Sequence, residues 1–341
     1  PDARRLLLIP ENHTRNQFYL MNVARLANIL QHAGLNVRIG SLLPEITAPT
    51  PLDLPDGQRL VLEPLKRLGR DGRRLGLDGF DPCAILLNND LSAGVPELLL
   101  NLHEQFVIPP LWAGWHVRRK SAHFAAYRDV AQLFARELGI DPWLIDPDFE
   151  VCNKINFHER VGEECLAGSV DKLLNRMRLK YKEYGITDEP FVIVKADAGT
   201  YGMGIMTVKD ASEVKQLNRK QRNKMAVVKE GLQVTDVIIQ EGVPTVERVD
   251  EGTAEPVVYM LDRYVVGGFY RVNATRGTDE NLNAPGMHFK PLAFATGCSL
   301  PDARMAPDAP ANRFYAYGVV ARLALVAASV ELERAAPAEV A

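Results

Sequence analysis

The sequence predicts an α/β protein (α+β overall), in which an N-terminal parallel α/β domain is followed by a larger domain with a glycine-rich β-hairpin. Two observations predict it. Over the first 115 residues, short apolar runs alternate with polar loops and segments of helical periodicity, which is the order of a parallel sheet with crossover helices. Near the middle of the chain, two apolar runs flank a loop that contains three glycines.

Length and composition narrow the class of protein. The 341 residues leave room for about two domains. Apolar residues make up 47%, and the formal net charge of −3 excludes a strongly basic nucleic-acid-binding protein. No apolar run reaches the length of a membrane span, and the four cysteines form no CxxC pair of the kind that binds zinc. We therefore expect a cytoplasmic protein without nucleic-acid or membrane partners.

The first domain is predicted from its apolar runs. Buried strands are expected at residues 4–10, 37–40 and 84–87, where the runs are short and apolar. Helical spacing from Tyr19 to Leu30 ends at Gly34, a common helix stop, and residues 96–105 are also expected to be helical. We place the domain boundary near residue 115, which gives domains of 1–115 and 116–341.

Polar residues follow two of these predicted strands. Asn12, Arg15 and Asn16 come after the first strand, and Asn89 and Asp90 come after the strand at residues 84–87. Ligands of open α/β sheets bind beyond the carboxyl ends of the strands. These five side chains are therefore candidates for ligand binding.

The most informative segment is residues 191–208, FVIVKADAGTYGMGIMTV. Backbone amides of glycine-rich loops can approach phosphate oxygens closely, and Lys195 at the strand end can neutralise phosphate charge. A Walker loop or a dinucleotide fingerprint opens a helix, whereas here a second β-branched run follows. The segment therefore predicts a β-hairpin that closes over a nucleotide as a lid. A plain glycine-rich hairpin is the alternative.

Apolar runs and polar loops predict further elements in the rest of the second domain. A strand at residues 237–243 carries the polar pair Gln240 and Glu241, and a hairpin at residues 257–272 carries Arg271. A polar loop, DENLNAPG, begins at Asp279. Helices are predicted at residues 121–138, 166–184 and 313–333, with a capping box at Asp210 before a further helix.

This order resembles the ATP-grasp superfamily of carboxylate–amine ligases. The residues that carry the resemblance are Lys195 with its glycine loop, then Gln240 and Glu241, then Arg271, then Asn281. The stretch from Arg271 to the glycine of DENLNAPG is also similar to glutathione synthetases. The strings IPENHTRNQFY, VKADAGTYGMGIMTV and FYRVNATRGTDENLNAPGMHF resemble the proteobacterial-type glutamate–cysteine ligase family over nearly the full length.

The resemblance implies an ATP-grasp-like second domain, with a lid subdomain at about residues 186–245, and a set of nucleotide ligands. Lys120 and Lys195 are expected at the phosphates and the adenine side, although Arg118 or Arg119 could take the place of Lys120. The lid residues would act chiefly through backbone amides, and they are Gly199, Tyr201, Gly202, Met203 and Gly204. The residues expected at the adenine edge and the ribose are Gln240, Glu241, Val243 and Glu247.

The resemblance also implies catalytic, substrate and metal residues. Arg271, Lys195 and Asn281 are the catalytic candidates, although Arg271 could instead form a structural ion pair. The candidates for binding glutamate are Asn12, Arg15, Asn16, Asn89, Asp90, Arg271 and Asn283. The usual late Asp…Glu-x-Asn series does not follow the last helix. The candidate metal ligands are therefore Glu280, Asn281 and Asn283, or Glu331 and Glu333.

The implied activity is an ATP-dependent ligation with Mg²⁺. The γ-carboxylate of glutamate would become an acyl phosphate, and the amine of cysteine would attack it to give γ-glutamylcysteine, the first step of glutathione biosynthesis. Two alternatives stay open, namely an ATP-grasp ligase for a different carboxylate and amine, and a non-catalytic nucleotide-binding protein. The resemblance also allows a homo-oligomer.

Overall fold

The computed structural model describes residues 3–12, 17–198, 204–227, 233–291 and 313–337. The chain divides into two compact units, Pro1–Arg118 and Arg119–Ala341. The division falls shortly after the boundary that we expect near residue 115. Parallel and antiparallel sheets are both present together with helices, so the predicted α/β class, α+β overall, is confirmed.

The first unit is built on a six-stranded sheet. Its strands and helix are β1 (Arg5–Pro10), α1 (Gln17–His32), β2 (Asn36–Ser41), β3 (Thr50–Asp53), β4 (Arg59–Pro64), β5 (Lys66–Leu68), β6 (Arg74–Gly76), β7 (Ala84–Asn88) and β8 (Phe106–Ile108). The sheet order is β3-β4-β2-β1-β7-β8, and β5 and β6 form a separate two-stranded ribbon. All neighbours are parallel except β3 and β4.

The central strand β1 is apolar from Leu6 onwards because both of its faces are covered. Leu6 and Leu8 pack into one cluster with the apolar side of α1. Leu7 and Ile9 point to the opposite face and pack into a second cluster that includes Leu99. Alternation of side chains along a strand divides one apolar run between two cores in this way.

The predicted helix at residues 96–105 is wrong. Only a 3₁₀ turn at Glu97–Leu99 forms, and Asn101 has a left-handed φ of 59° that ends it. The buried side chain of Gln105 then bonds the backbone of Leu75, accepting from its N–H at 2.6 Å and donating to its carbonyl at 2.8 Å. These bonds hold the chain extended where it enters β8.

The second unit contains two antiparallel sheets and five helices among its described residues. Its elements are α2 (Lys120–Leu138), β9 (Phe149–Cys152), α3 (Glu163–Tyr184), β10 (Val192–Ala196), β11 (Ile205–Val208), α4 (Ala211–Lys215), α5 (Arg219–Ala226), β12 (Val237–Glu241), β13 (Glu247–Val249), β14 (Gly252–Leu261), β15 (Tyr264–Asn273), β16 (His288–Pro291) and α6 (Arg313–Ala335).

The first of these sheets has the order β11-β10-β12-β9, and the predicted glycine hairpin is β10 and β11, with Lys195 opposite Ile205. Helix α3 covers one face of the sheet. It buries Leu166, Val170, Leu173 and Met177 at helical spacing and ends at Gly185, whose left-handed φ of 67° suits a helix terminus. The capping box predicted at Asp210 is present at the start of α4.

The second sheet has the order β13-β14-β15-β16. Beside it, α2 and α6 pack together through Ala126, Ala131 and Ala327, whose small side chains let two helix backbones approach closely. Within the described part of the chain, no helix is long and apolar enough to cross a membrane.

Candidate active site

Two lysines from separate elements meet at one end of the β11-β10-β12-β9 sheet. Lys195 lies on β10, and Lys120 is the first residue of α2. Asp197 joins the two elements. Its carboxylate accepts hydrogen bonds of 2.7 Å from both the N–H and the hydroxyl of Ser121, and its carbonyl accepts the N–H of Lys120 at 2.9 Å. Asp197 therefore caps α2 from a distant strand and sets the position of Lys120.

Each ammonium group donates to a neutral oxygen. Lys120 Nζ donates to the Ala196 carbonyl at 2.8 Å. Lys195 Nζ donates to Gln240 Oε1 and lies 5.5 Å from the centre of the Phe124 ring. Among the residues that the structure describes, no carboxylate lies within ion-pairing distance of Lys195.

The pKa values of both lysine side chains are lowered in this arrangement. Burial lowers the pKa of Lys195 from 10.5 to about 8, and the positive charge of Lys120 adds to the effect. Burial also lowers the pKa of Lys120, and the charge of Asp197 opposes that change. Desolvation disfavours a charged amine, and a bound anion would restore its charge. The site is therefore electrostatically suited to a phosphate group.

The predicted pair Gln240 and Glu241 divides between the two faces of β12. Gln240 shares the face of Lys195, whereas the carboxylate of Glu241 accepts from Trp143 Nε1 at 2.9 Å and from the N–H of Asp148 at 3.0 Å. Glu241 is only 4% exposed, and burial raises its pKa. Its side chain lines a cavity of ≈ 440 Å³ with Trp143, on the face of the sheet opposite Gln240.

Arg271 lies on β15 directly opposite Glu255 on β14, and the two side chains form an ion pair. The structural ion pair foreseen as the alternative is therefore present. The guanidinium is not fully engaged, however, because its Nε is buried without a hydrogen-bond partner among the described residues. The Arg271 side chain is 26% exposed, so a ligand would reach the guanidinium from its exposed part and not through the buried Nε.

The loop with Asn281 is anchored by a buried residue that the sequence analysis missed. Asn273 is fully buried, and its Oδ1 accepts from the N–H and the hydroxyl of Thr275 at 3.0 and 2.8 Å. Its Nδ2 lies 3.5 Å from the carbonyls of Leu282 and Ala284. Asn273 comes two residues after Arg271, and the same strand therefore sets both the arginine and the loop.

The same loop contacts the second strand of the glycine hairpin. Asp279 pairs with Lys209 at 2.8 Å, and its carbonyl accepts from the Thr207 hydroxyl at 3.4 Å. A cavity of ≈ 540 Å³ is lined by both segments, including Thr207, Asn281 and Asn283. The structure therefore brings the hairpin and the asparagine loop together around one cavity.

The candidate metal ligands have partners within the protein. Glu280 accepts from the N–H of Gly277 and pairs with Arg276, both at 2.7 Å, and Asn281 Oδ1 accepts from the N–H of Asn283 at 2.9 Å. Glu331 on α6 is buried against His123 on α2 at 3.1 Å, whereas Glu333 is exposed. The described residues contain no group of three or more His, Cys, Asp or Glu side chains that could hold a metal ion.

Other predicted nucleotide residues lie at several places. Gly204 precedes β11 with a left-handed φ of 62°, and its carbonyl accepts the N–H of Ala196 at 3.2 Å. Val243 is exposed, and Glu247 on β13 accepts from the Tyr317 hydroxyl on α6. Six of the predicted residues lie outside the described part of the chain, and they are Arg15, Asn16, Gly199, Tyr201, Gly202 and Met203.

In the first unit, the predicted polar residues gather at the carboxyl ends of β1 and β7. Asn12 is exposed. Asn89 Oδ1 accepts the N–H of Leu91 at 2.9 Å, and Asp90 Oδ1 accepts the hydroxyl of Ser92 at 2.7 Å, so both oxygens shape their own turn. Glu11, which the sequence analysis missed, accepts the N–H of Asp90 at 2.9 Å and links the two strand ends. Its position directly after β1 was the available signal.

Comparisons with known proteins identify the family. The family profile described as glutamate–cysteine ligase matches residues 1–332. A protein from Methylobacillus flagellatus KT, assigned as a gamma-glutamylcysteine synthetase, has a crystal structure with a TM-score of 0.87 and 64% sequence identity. That match covers 98% of this chain and 78% of that chain.

Similarity to other solved structures is weaker. D-alanyl-alanine synthetase A from Vibrio cholerae O1 biovar eltor str. N16961 matches at 11% identity and a TM-score of 0.44, over 94% of this chain and 81% of its own. No curated protein matches the chain. The family profile spans nearly the whole sequence and agrees with the resemblance that the motifs suggest. The chain therefore belongs to the glutamate–cysteine ligase family.

Proposed function

We propose that Lys120 and Lys195 hold the phosphates of ATP while this ligase joins glutamate to cysteine. The activity of the family is the ATP-dependent formation of γ-glutamylcysteine, the first step of glutathione biosynthesis. In the proposed mechanism, the γ-carboxylate of glutamate attacks the γ-phosphate of ATP and becomes an acyl phosphate. The amine of cysteine then attacks the acyl carbon, the C–N bond forms and phosphate leaves.

One observation carries the proposal, namely that two partly buried lysines from β10 and α2 are brought together by Asp197, and that burial and then the charge of Lys120 lower the pKa of Lys195. Two like charges in a desolvated place destabilise the empty site, and a polyphosphate removes that repulsion. Gln240 supports the assignment because its amide oxygen holds Lys195 without neutralising it. A carboxylate there would compete with the phosphate.

Arg271 is proposed to stabilise the phosphoryl group during transfer. Its ion pair with Glu255 orients the guanidinium, and the side chain remains 26% exposed. A planar guanidinium suits phosphate oxygens because it can donate two parallel hydrogen bonds. Charge that develops on those oxygens is stabilised most by donors that are already in place.

The glycine hairpin and the asparagine loop are proposed to exclude water. An acyl phosphate hydrolyses readily, so its lifetime depends on a closed site. The Lys209–Asp279 pair and the Thr207 hydrogen bond connect the two segments around their shared cavity. Movement of the hairpin over ATP would therefore be transmitted to Asn281 and Asn283.

Magnesium is proposed on chemical grounds only. Mg²⁺ bound with nucleotide phosphates needs one or two carboxylates from the protein. Glu280 already bonds Arg276 and the N–H of Gly277, and no group of three or more His, Cys, Asp or Glu side chains gathers among the described residues, so these do not form a complete metal site. No step of the mechanism is derived through the metal.

Phosphate release tests the proposal. The purified chain is assayed with ATP and Mg²⁺ in the presence of glutamate, cysteine, both or neither, and the product is identified by mass spectrometry. We expect release that requires both amino acids. Release with glutamate and a different amine, and none with cysteine, would instead indicate another carboxylate–amine ligase.

The lysine assignment has its own control. Lys195→Met is expected to lose ATP binding by at least about 100-fold, since a paired charge in a desolvated site contributes several kcal/mol. Lys66→Met is the matched control, because Lys66 is an exposed lysine that pairs with Asp78 in the first unit. Equal ATP affinity of the Lys195 variant and the parent would refute the role of Lys195.

A further inference from the structure

Two cysteines of the second unit are in direct contact outside the candidate active site. Cys152 is the last residue of β9, and Cys165 lies in the first turn of α3. Their sulfur atoms are 3.1 Å apart, and both thiols are free. A disulfide needs a sulfur–sulfur distance of about 2.05 Å. Closure of the bond therefore requires a movement of only about 1 Å.

The two thiols differ in their exposure to solvent. Cys165 is exposed, whereas Cys152 is 1% exposed within the core beneath α3. Burial raises the pKa of Cys152 to about 11, and its sulfur also lies 3.3 Å from the hydroxyl of Ser169. Cys152 is thus kept as a thiol that solvent oxidants do not reach, while Cys165 meets solvent at the amino end of a 22-residue helix.

The charged groups around Cys165 are balanced. The first turn of α3 contains Glu163 and Glu164 directly before Cys165. Glu163 pairs with Arg160 at 2.9 Å, and Glu164 pairs with Lys215 at 2.9 Å.

We propose that Cys165 is a thiol oxidation site that reacts with hydroperoxides and is resolved by Cys152 as a disulfide. In the first step the Cys165 sulfur attacks the terminal oxygen of the hydroperoxide, the S–O bond forms, the O–O bond breaks, and an alcohol or water leaves with the thiol proton. In the second step the Cys152 sulfur attacks the Cys165 sulfur, the S–S bond forms, and the hydroxyl leaves as water with the proton of Cys152. Sulfur is oxidised by two electrons, and the peroxide is reduced by two.

The cross-link would act on the sheet that carries Lys195. Cys152 lies opposite Val237 on β12, and Val237 lies opposite Ala196 on β10, the residue after Lys195. A bond from Cys152 to α3 therefore ties the outer strand of this sheet to the helix that covers it. Any consequence for ATP rests on the proposed role of Lys195, whereas the formation of the disulfide does not.

Peptide mapping tests the proposal on the full chain, in a background with Cys83→Ser and Cys298→Ser to remove the other thiols. The protein is treated with hydrogen peroxide, the remaining thiols are alkylated, and the digest is analysed without reduction. Trypsin cuts after Lys154 and Arg160, so a Cys152–Cys165 bond joins two separate peptides. We expect this linked pair, and its loss after dithiothreitol.

Two variants and a thermal measurement complete the test. In Cys152→Ser, Cys165 should be trapped as a dimedone adduct of the sulfenic acid, and in Cys165→Ser, Cys152 should stay unmodified. The oxidised parent should unfold roughly 5–10 °C higher than the reduced form, since a ring of this size restricts the unfolded chain. Absence of the linked peptides, or trapping at Cys152 rather than Cys165, would overturn the proposal.

Discussion

Replacement of Lys195 by methionine should stabilise the protein while it weakens ATP binding. Methionine keeps most of the length of the side chain and removes the charge. The drop in the pKa of Lys195 from 10.5 to about 8 corresponds to roughly 3 kcal/mol against the folded state. Loss of the hydrogen bond to Gln240 costs about 1 kcal/mol. We therefore expect a net gain of roughly 2 kcal/mol at pH 7.

The sign of the pH dependence follows from the same values. Below pH 8 the lysine is charged in both the folded and the unfolded chain, so the penalty acts in full. Between pH 8 and 10.5 the unfolded chain binds more protons than the folded chain, so the parent gains stability as the pH rises. The advantage of the methionine variant should therefore be present at pH 7 and disappear towards pH 10.5.

The assay is a pair of urea titrations without nucleotide, at pH 7 and pH 10. Hydrogen exchange of the amides of β10 and β12 reports on the second unit, because Lys195 lies on β10 and β12 is paired with it. Lys66→Met serves again as the control, and no gain is expected from it. Calorimetry of ATP binding to the parent at pH 8.5 should show proton uptake as the phosphates restore the charge of Lys195.

Two results would refute the reasoning. A methionine variant less stable than the parent at pH 7 would mean that the charge of Lys195 is balanced in solution. A gain of the same size at pH 7 and pH 10 would mean that packing, and not desolvation of the ammonium, is responsible.

Three further changes test the residues around the lysines. Asp197→Asn should lower the stability of the start of α2 by roughly 1–2 kcal/mol, because Ser121 loses a charged hydrogen-bond acceptor. Hydrogen exchange of the Ser121 amide measures this change, and an ATP titration measures its effect on binding. Arg271→Ala should lower turnover by at least about 100-fold with little change in ATP affinity, whereas Glu255→Gln should retain most of the turnover. Steady-state kinetics of both variants measure this difference. Asn273→Ala should lower both the unfolding free energy and kcat, because the asparagine loop loses its anchor.

Much of the fold could be predicted because its signals are local. The hairpin of β10 and β11 follows from two β-branched runs around glycines, and the start of α4 follows from a capping box that spans four residues. The helix expected at residues 96–105 was wrong because its competitor is non-local. Gln105 is held by Leu75, which lies 30 residues away, and no spacing within the segment reveals that bond.

In the candidate site too, some features have local sequence signals and others depend on contacts between distant residues. Lys195 could be predicted from its place at a strand end before glycines, whereas Asp197 acts on Ser121, which is 76 residues away in the chain. The separation of Gln240 from Glu241 had a signal, since adjacent residues of a strand point to opposite faces. Which of the two shares the face of Lys195 depends on the antiparallel register of β12 with β10, which only the structure provides.

The direction of the pKa changes separates two kinds of lysine in this protein. The pKa values of Lys180 and Lys209 are raised, chiefly by hydrogen bonds to Asp141 and Asp279, as expected of cations that hold structure together. Those of Lys120 and Lys195 are lowered, chiefly by burial. A pair that lowers folding stability needs a compensating partner, and a bound polyphosphate supplies one. The same desolvation that lowers the pKa of Lys195 would therefore strengthen the proposed binding of ATP phosphates at this site.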